Sequence, residues 1–358
     1  MTVIRVGSSH AGYDVLVGPV EAGIDRIRDL AAGTTPVLVT EPRVFALHGA
    51  AIVSALGADP LFVPSGEAAK DWDQLHELLE QFARLNVGRR TPVVALGGGS
   101  VGDLAGLAAS LFKRGCPIIH VPTTLLSQAD SAIGGKTAID VFGEKNLVGT
   151  FHQPALVVAD PAMLDTLDQR QVRSGYAEIV KYGLIGDPTF FAWCEANGRG
   201  LLAGHPDLRL HAITTAIRSK ARLVEGDISD RSGQRALLNL GHSFAHAIEA
   251  EAGIGSLLHG EAVALGLTLA YRLSAETGIA PASDAERVAA HFASVGLPTR
   301  LAEVGLANRG AILTERIGRD KKNTGSSQVL VLARGIGRAF IDDSVDPRHL
   351  ADFLNRST

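Results

Sequence analysis

The segment Pro92-Val-Val-Ala-Leu96 runs without a break into Gly97-Gly-Gly-Ser-Val-Gly-Asp103. An apolar run with no polar alternation reads as a strand buried on both faces, and such strands belong to parallel sheets covered by helices. Three more runs have this character: Pro36 to Thr40, Cys116 to Val121 and Ala155 to Ala159. Between them, Asp71 to Leu85 carries Leu75, Leu78, Leu79 and Phe82 at helical spacing. Strand, helix, strand repetition predicts an α/β first half. From Val172 onward the pattern is helical, over 176–184, 211–224, 236–252, 259–277 and 285–295, with no strand-like run until Gln328 to Leu332. The expectation is an α/β parallel-sheet domain over 1–167 and a helical domain over 168–358, with a cleft between them for the site.

At 358 residues the chain has room for two domains, and 46% hydrophobic content supplies a core for each. A net charge of -4, with no Lys/Arg-rich run, excludes a nucleic-acid or membrane surface as the general function. Cys116 and Cys194 form neither a CxxC pair nor a disulfide framework and read as small buried hydrophobes in a reducing compartment. Met1 to His10 lacks the apolar stretch of a signal peptide, and no run of about 18 apolar residues is present, so the cytoplasm is the expected location.

Gly97, Gly99 and Gly102 fit G-x-G-x-x-G between a strand and a helix, where a pyrophosphate can approach the backbone. The same residues suit a tight turn with close helix–sheet packing. The loop is not in the first strand–helix–strand unit, and no acid lies about 20 residues beyond it to hold a ribose. Glu41, Glu67 and Lys70 are alternative nucleotide contacts. Pro122-Thr-Thr-Leu-Leu-Ser127 places two hydroxyls after the third central strand.

In the helical half, three otherwise apolar segments carry ionisable groups: Ser174 to Lys181, Asn239 to His246, and His259-Gly-Glu261. Glu178 and Lys181 share a helix face, as do His242 and His246. Two histidines and a carboxylate suit a catalytic zinc that keeps one position open. Ser243 after His242 removes the general base of an HExxH protease. Lys136 follows Gly134-Gly135, but Asp130 stands where a phosphate-binding P-loop requires glycine. Arg114, Lys145, Asn146, Lys220, Arg235 and the pair Lys321-Lys322 are further polar or cationic groups suited to an anionic substrate.

In order along the chain, PSGEAAK, GGGSVGDLAG, KRG, VPTTLLSQADSAIGGKTAID, EKNLVGTFHQP, SGYAEIVKYG, RALLNLGHSFAHAIE, HGEAVALG and RDKK resemble 3-dehydroquinate synthase, a sugar-phosphate cyclase family, from about Thr40 to Lys322. The resemblance implies an N-terminal Rossmann-like domain, a C-terminal helical domain and a homodimer. It implies zinc, with cobalt as an alternative, on Glu178, His242 and His259. It implies NAD contacts at Glu67, Lys70, Gly98, Gly99, Ser100, Val101, Gly102, Asp103, Thr123, Thr124, Lys136, Lys145 and Thr166, with Glu41 as a further candidate. Substrate residues fall on Asp130, Lys136, Asn146, Lys181, Lys220, Arg235, Asn239, His246, Lys321 and Lys322, and Arg114 matches an arginine that reaches the neighbouring subunit's site. Ser65, the DISDRSGQR stretch and Ala245 depart from the usual pattern without removing any of these groups.

The implied reaction is that of a lyase of the shikimate pathway. It converts 3-deoxy-D-arabino-heptulosonate 7-phosphate to 3-dehydroquinate and phosphate by transient oxidation with NAD, phosphate elimination, re-reduction and aldol closure. Lys136, Asn146 and Lys321-Lys322 are expected at the phosphate and Lys220 and Arg235 at the carboxylate. His246 is expected to transfer a proton or bond the substrate, and Lys181 to orient a substrate hydroxyl. The alternatives are another sugar-phosphate cyclase or a metal-dependent polyol dehydrogenase.

Overall fold

A computed structural model describes residues 1–7, 12–225, 235–253, 255–318 and 328–358. The chain divides into two compact units, Met1–Asp168 with Gly204–Ser229, and Gln169–Ala203 with Asp230–Thr358.

The first unit is built on β1 (Thr2–Val6), β2 (Tyr13–Val17), β3 (Val37–Thr40), β4 (Asp59–Phe62), β5 (Val93–Gly97), β6 (Ile118–Pro122), the hairpin β7 (Lys136–Val141) and β8 (Glu144–Phe151), and β9 (Leu156–Ala159). Seven of these form one sheet in the order β1-β2-β9-β6-β5-β3-β4, parallel except for the β1–β2 edge. The four apolar runs named from sequence are β3, β5, β6 and β9, the central strands. Their side chains alternate between two cores: Val37, Val39, Val93 and Ala95 on one face, Leu38, Val94, Leu96 and Ile119 on the other. Each fully buried branched side chain contributes about 1.5–3 kcal/mol, which is why strands covered on both faces tolerate no polar alternation.

Strand order reverses between β3 and β5, because β4 lies to one side of β3 and β5 to the other. The carboxyl ends of these neighbours, Thr40 and Gly97, therefore border the crevice where open parallel sheets take ligands. The glycine-rich loop opens the helix Gly99–Leu111 at that point.

Gly204–Ser229 belongs with the first unit, although its helical character places it in the second half by sequence. Side chains of the helix Pro206–Val224 explain this. Arg209 Nη1 lies 2.6 Å from Asp165 Oδ1, and Lys220 Nζ donates to the Asp130 carbonyl at 2.9 Å and to its carboxylate.

The second unit is helical, with Gln169–Gly186, Pro188–Leu202, His242–Ala252, His259–Glu276, Ala282–Ser294, Gly310–Gly318 and Pro347–Arg356, plus the hairpin β10 (Gln328–Ala333) and β11 (Ala339–Val345). Tyr176 Oη donates to the Cys194 carbonyl at 3.1 Å and lies 3.0 Å from His291 Nε2; Tyr271 Oη donates to the Leu184 carbonyl at 3.0 Å. Both cysteines are free and buried, as expected. Among the described residues no helix is long and apolar enough to cross a membrane.

Two histidines lie in these cores. Burial, reinforced by the neighbouring His152, lowers the pKa of His120 to about 4; burial does the same to His291 against the opposing Glu195 charge. Each imidazole is neutral in the folded chain, so its contribution is complete above about pH 6.5 and is lost as pH falls toward 4, at about 1.4 kcal/mol per unit. His291→Gln is expected to show a smaller drop in thermal midpoint than wild type between pH 7.5 and pH 5. Equal drops would show that His291 does not contribute to the acid loss.

Candidate active site

The helix Gln169–Gly186 buries Ser174 through Ile185 without interruption, and among these residues are Glu178 and Lys181, each 2% exposed. A carboxylate there requires compensating partners. It has three. Lys181 Nζ lies 2.6 Å from Oε2, while His242 Nε2 and His259 Nε2 lie 3.2 and 3.3 Å from the single oxygen Oε1. Burial disfavours the Glu178 charge, but the Lys181 ammonium and hydrogen bonds from both histidines hold its pKa well below the usual carboxylate range. Burial likewise opposes the charge on His259, yet bonds to Glu178 and Glu249 lift its pKa to about 10.

His242 and His259 each stand at the first residue of a helix. Sequence periodicity suggests one helix over 236–252. The chain instead makes a short turn over Arg235–Asn239 and restarts after Gly241, whose φ is +76°. Any Cβ at Gly241 would sit 2.6 Å from the Leu267 backbone nitrogen, so the His259–Glu276 helix passes directly against the break. At Gly260 a Cβ would overlap the Ser174 carbonyl, and the Gly260 N–H donates to Ser174 Oγ at 3.0 Å. These two contacts set the three ligand-bearing helices relative to one another. Glu261 takes no part in the ligand cluster: it accepts Leu258 N–H at 2.9 Å, capping its helix, and pairs with Arg170 at 2.6 and 2.8 Å.

Glu178, His242 and His259 each offer a donor atom, all within 4.8 Å of one another. Each histidine turns its other ring nitrogen, Nδ1, to an acceptor, the Leu240 carbonyl or Glu249, both at 3.2 Å. A buried carboxylate oxygen, the nitrogen of buried His242 and that of half-buried His259, with both rings oriented by further hydrogen bonds, fit a zinc or cobalt ion with a position left for substrate. His246 lies beside them, exposed, its ring 5.7 Å from that of His242. Asn239 is half-buried at the preceding turn, and Arg235 is only 1% exposed.

In the first unit, Lys70 is 4% exposed and gathers acids around it. Its Nζ donates to Asp103 at 2.8 Å and to Asn146 Oδ1, with Glu67 and Asp140 each at 3.9 Å. Burial works against the Lys70 charge, and these carboxylates overcome it and raise its pKa. Burial raises the pKa of Asp103 and Glu67 despite the Lys70 ammonium between them. Asp140, which also accepts Asn146 N–H at 2.7 Å, is a member that sequence reasoning missed. In the glycine loop, Gly97, Gly98, Gly99 and Gly102 all avoid positive φ. They serve close approach: a Cβ at Gly97 would press on Val101 at 2.7 Å, and one at Gly98 on Thr124 at 3.0 Å. The N–H groups of Gly99, Ser100 and Val101 precede the first intrahelical bond, from Gly102 N–H to the Gly98 carbonyl at 3.1 Å. A small-residue helix N-terminus at a strand-order reversal fits a dinucleotide pyrophosphate.

The remaining predicted residues are placed as follows. Glu41 flanks the crevice just beyond β3. Thr123 N–H donates to the Gly97 carbonyl at 2.9 Å, and Thr124 Oγ1 accepts Ser127 N–H at 3.2 Å. Thr166 Oγ1 lies 2.9 Å from His48 Nε2. Lys136 is exposed at the start of β7, Lys145 precedes Asn146 on β8, and Asp130 pairs with Lys220. Arg114 is exposed on a left-handed turn (φ +65°). Lys321 and Lys322 lie outside the described residues.

Family profiles match in two consecutive blocks, 3-dehydroquinate synthase N-terminal over residues 60–174 and 3-dehydroquinate synthase C-terminal over residues 175–323. The chain belongs to the 3-dehydroquinate synthase family. It is similar to the 3-dehydroquinate synthase of Zymomonas mobilis, 49% identical over 83% of this chain and 79% of that one, and to that of Rhodospirillum rubrum, 46% identical over 95% and 91%. Among solved structures it resembles ValA, the 2-epi-5-epi-valiolone synthase of Streptomyces hygroscopicus, solved with NAD+ and Zn2+ bound, at 29% identity, a TM-score of 0.85 and coverage of 99% and 98%. The resemblance read from the motifs is thus borne out, as is the fold class, a Rossmann-like parallel-sheet region in the N-terminal part and a helical C-terminal one.

Because Gly260 meets backbone rather than a yielding side chain, Gly260→Ala is expected to displace His259 and weaken zinc uptake at least about tenfold, the scale of losing a well-oriented ligand. Gly186→Ala, where a methyl meets nothing within 4 Å, serves as the control and is expected to bind zinc as wild type does. Equal zinc affinity in the two variants, by chelator competition, would contradict this account of how the site is assembled.

Proposed function

We propose that this chain converts 3-deoxy-D-arabino-heptulosonate 7-phosphate to 3-dehydroquinate and phosphate, using bound NAD and a zinc or cobalt ion at Glu178, His242 and His259. The observation that carries the reading is the convergence of Glu178, His242 and His259 in a chain of this family. When bound, NAD supplies a hydride acceptor regenerated within each turnover, and the metal supplies a Lewis acid for the carbinol oxygen.

The chain's own residues supply binding and orientation. Lys181, 2.6 Å from Glu178, holds that carboxylate in place and orients a substrate hydroxyl beside it. His246 offers a hydrogen bond to substrate from the open side of the cluster. Lys136 and Asn146 receive the phosphate, Asn146 through its amide N–H groups while its oxygen accepts from Lys70. Lys220 and Arg235 receive the carboxylate, and Asp130 sets the Lys220 ammonium between its carbonyl and carboxylate oxygens. Asn239 is a further substrate contact, as are Lys321 and Lys322. The NAD contacts are Glu67, Lys70, Asp103, Lys145, Thr123, Thr124, Thr166 and the loop from Gly98 to Gly102, with Lys136 and Glu41 at its margin. The assembly is a cytoplasmic homodimer in which Arg114, on its exposed turn, serves the partner subunit.

The test is phosphate release from 3-deoxy-D-arabino-heptulosonate 7-phosphate with zinc and substoichiometric NAD, followed together with NADH absorbance. One phosphate per substrate with no net NADH is expected. Net NADH without phosphate would overturn the reading in favour of a dehydrogenase.

A further inference from the structure

The helix His242–Ala252 carries three functional-looking side chains on one stripe, His242, His246 and Glu249, at the spacing i, i+4, i+7. Two of them belong to the chemistry already described; Glu249 does not. Its side chain is 7% exposed, so it is not a solvated helix charge. Glu251, two residues on, shows the contrast: it leaves the stripe and pairs with Arg309 and Arg316 at 3.4 and 2.9 Å.

What Glu249 faces is the far side of a metal ligand. Its Oε2 lies 3.2 Å from His259 Nδ1, while Nε2 of the same ring points to Glu178 Oε1 at 3.3 Å. Glu249 therefore lies behind the ring and outside the cluster of donor atoms. The equivalent position behind His242 is filled by a backbone carbonyl, that of Leu240 at 3.2 Å from Nδ1. A carbonyl can only accept, so Nδ1 carries a proton, and Nε2 is the nitrogen that would present a lone pair to a bound ion. A carboxylate imposes the same tautomer and in addition makes the imidazole more basic.

We propose that Glu249 is a positioning residue for the metal site: its carboxylate accepts the Nδ1–H of His259, fixing ring plane and tautomer so that the Nε2 lone pair meets the ion. The two histidine ligands are then unequal, one backed by a neutral acceptor and one by an anion. This rests on the assignment of Glu178, His242 and His259 as metal ligands.

The experiment uses the full-length protein stripped of metal, as wild type, Glu249→Ala, Glu249→Met and Glu249→Gln. Zn2+ is titrated against a chromophoric chelator, and Co2+ uptake is followed by visible absorption. Glu249→Ala and Glu249→Met, the latter keeping the volume without an acceptor, are expected to bind Zn2+ about 10–100-fold more weakly and to shift the Co2+ bands. Glu249→Gln keeps an oxygen that accepts Nδ1–H and is expected to recover most of the affinity and the wild-type band positions. Wild-type affinity in the Ala or Met variant overturns the proposal, and so does a Gln variant as weak as either. Wild type that takes up no Zn2+ would remove the metal site itself, an outcome distinct from loss of Glu249's role alone.

Discussion

Glu178 is a carboxylate in the middle of a helix whose neighbours are buried almost without exception. Leaving such a charge uncompensated costs several kcal/mol, so the surrounding structure must answer it. Lys181 does so from the same helix, one turn away, and two histidines do so from two other helices. Both imidazoles converge on one carboxylate oxygen, an arrangement that places three metal donors around a common point. The glycines at 241 and 260 follow from that demand, because only residues without a Cβ let the three helices come close enough.

The first unit meets an analogous problem with the signs reversed. Lys70 is a buried cation, and Asp103, Glu67 and Asp140 are arranged about it with the Asn146 amide. The elements that bring these groups together are a loop after β4, the first turn of the Gly99–Leu111 helix and the β7–β8 hairpin. The strand-order reversal between β3 and β5 opens a crevice, and the adjacent helix N-terminus gives it a preference for anions. One unit thus carries a dinucleotide's requirements and the other a metal ion's, which is the division of labour that redox-assisted phosphate elimination needs.

The legibility of the sequence varied for physical reasons. The strands β3, β5, β6 and β9 were readable because burial on both faces leaves them almost wholly apolar, with Thr40 and His120 as their buried polar members. The β7–β8 hairpin escaped notice because its strands mix Lys, Asp, Glu and Asn with apolar residues, and β1 and β2 because each is only five residues long and interrupted by a charge, Arg5 or Asp14. The helix Pro206–Val224 was readable as a helix, but its place in the first unit depends on Lys220 and Arg209 reaching residues far away in sequence. His242 and His246 are equivalent by spacing alone, and the structure places His242 among the donors with Glu178 and His259. Glu249 reads as one more acid in an EAEA run, since nothing local reveals that its partner is a histidine ten residues on. Recognition of whole motifs supplied the ligand set that spacing left open.

The central claim is that these three side chains hold one metal ion. Anomalous diffraction at the zinc edge, from crystals grown with equimolar zinc, tests it most directly. The account expects a single peak bonded at about 2.0–2.2 Å to Glu178 Oε1 and to Nε2 of His242 and His259. Zinc bound elsewhere, with the three side chains still hydrogen-bonded to one another, would contradict it.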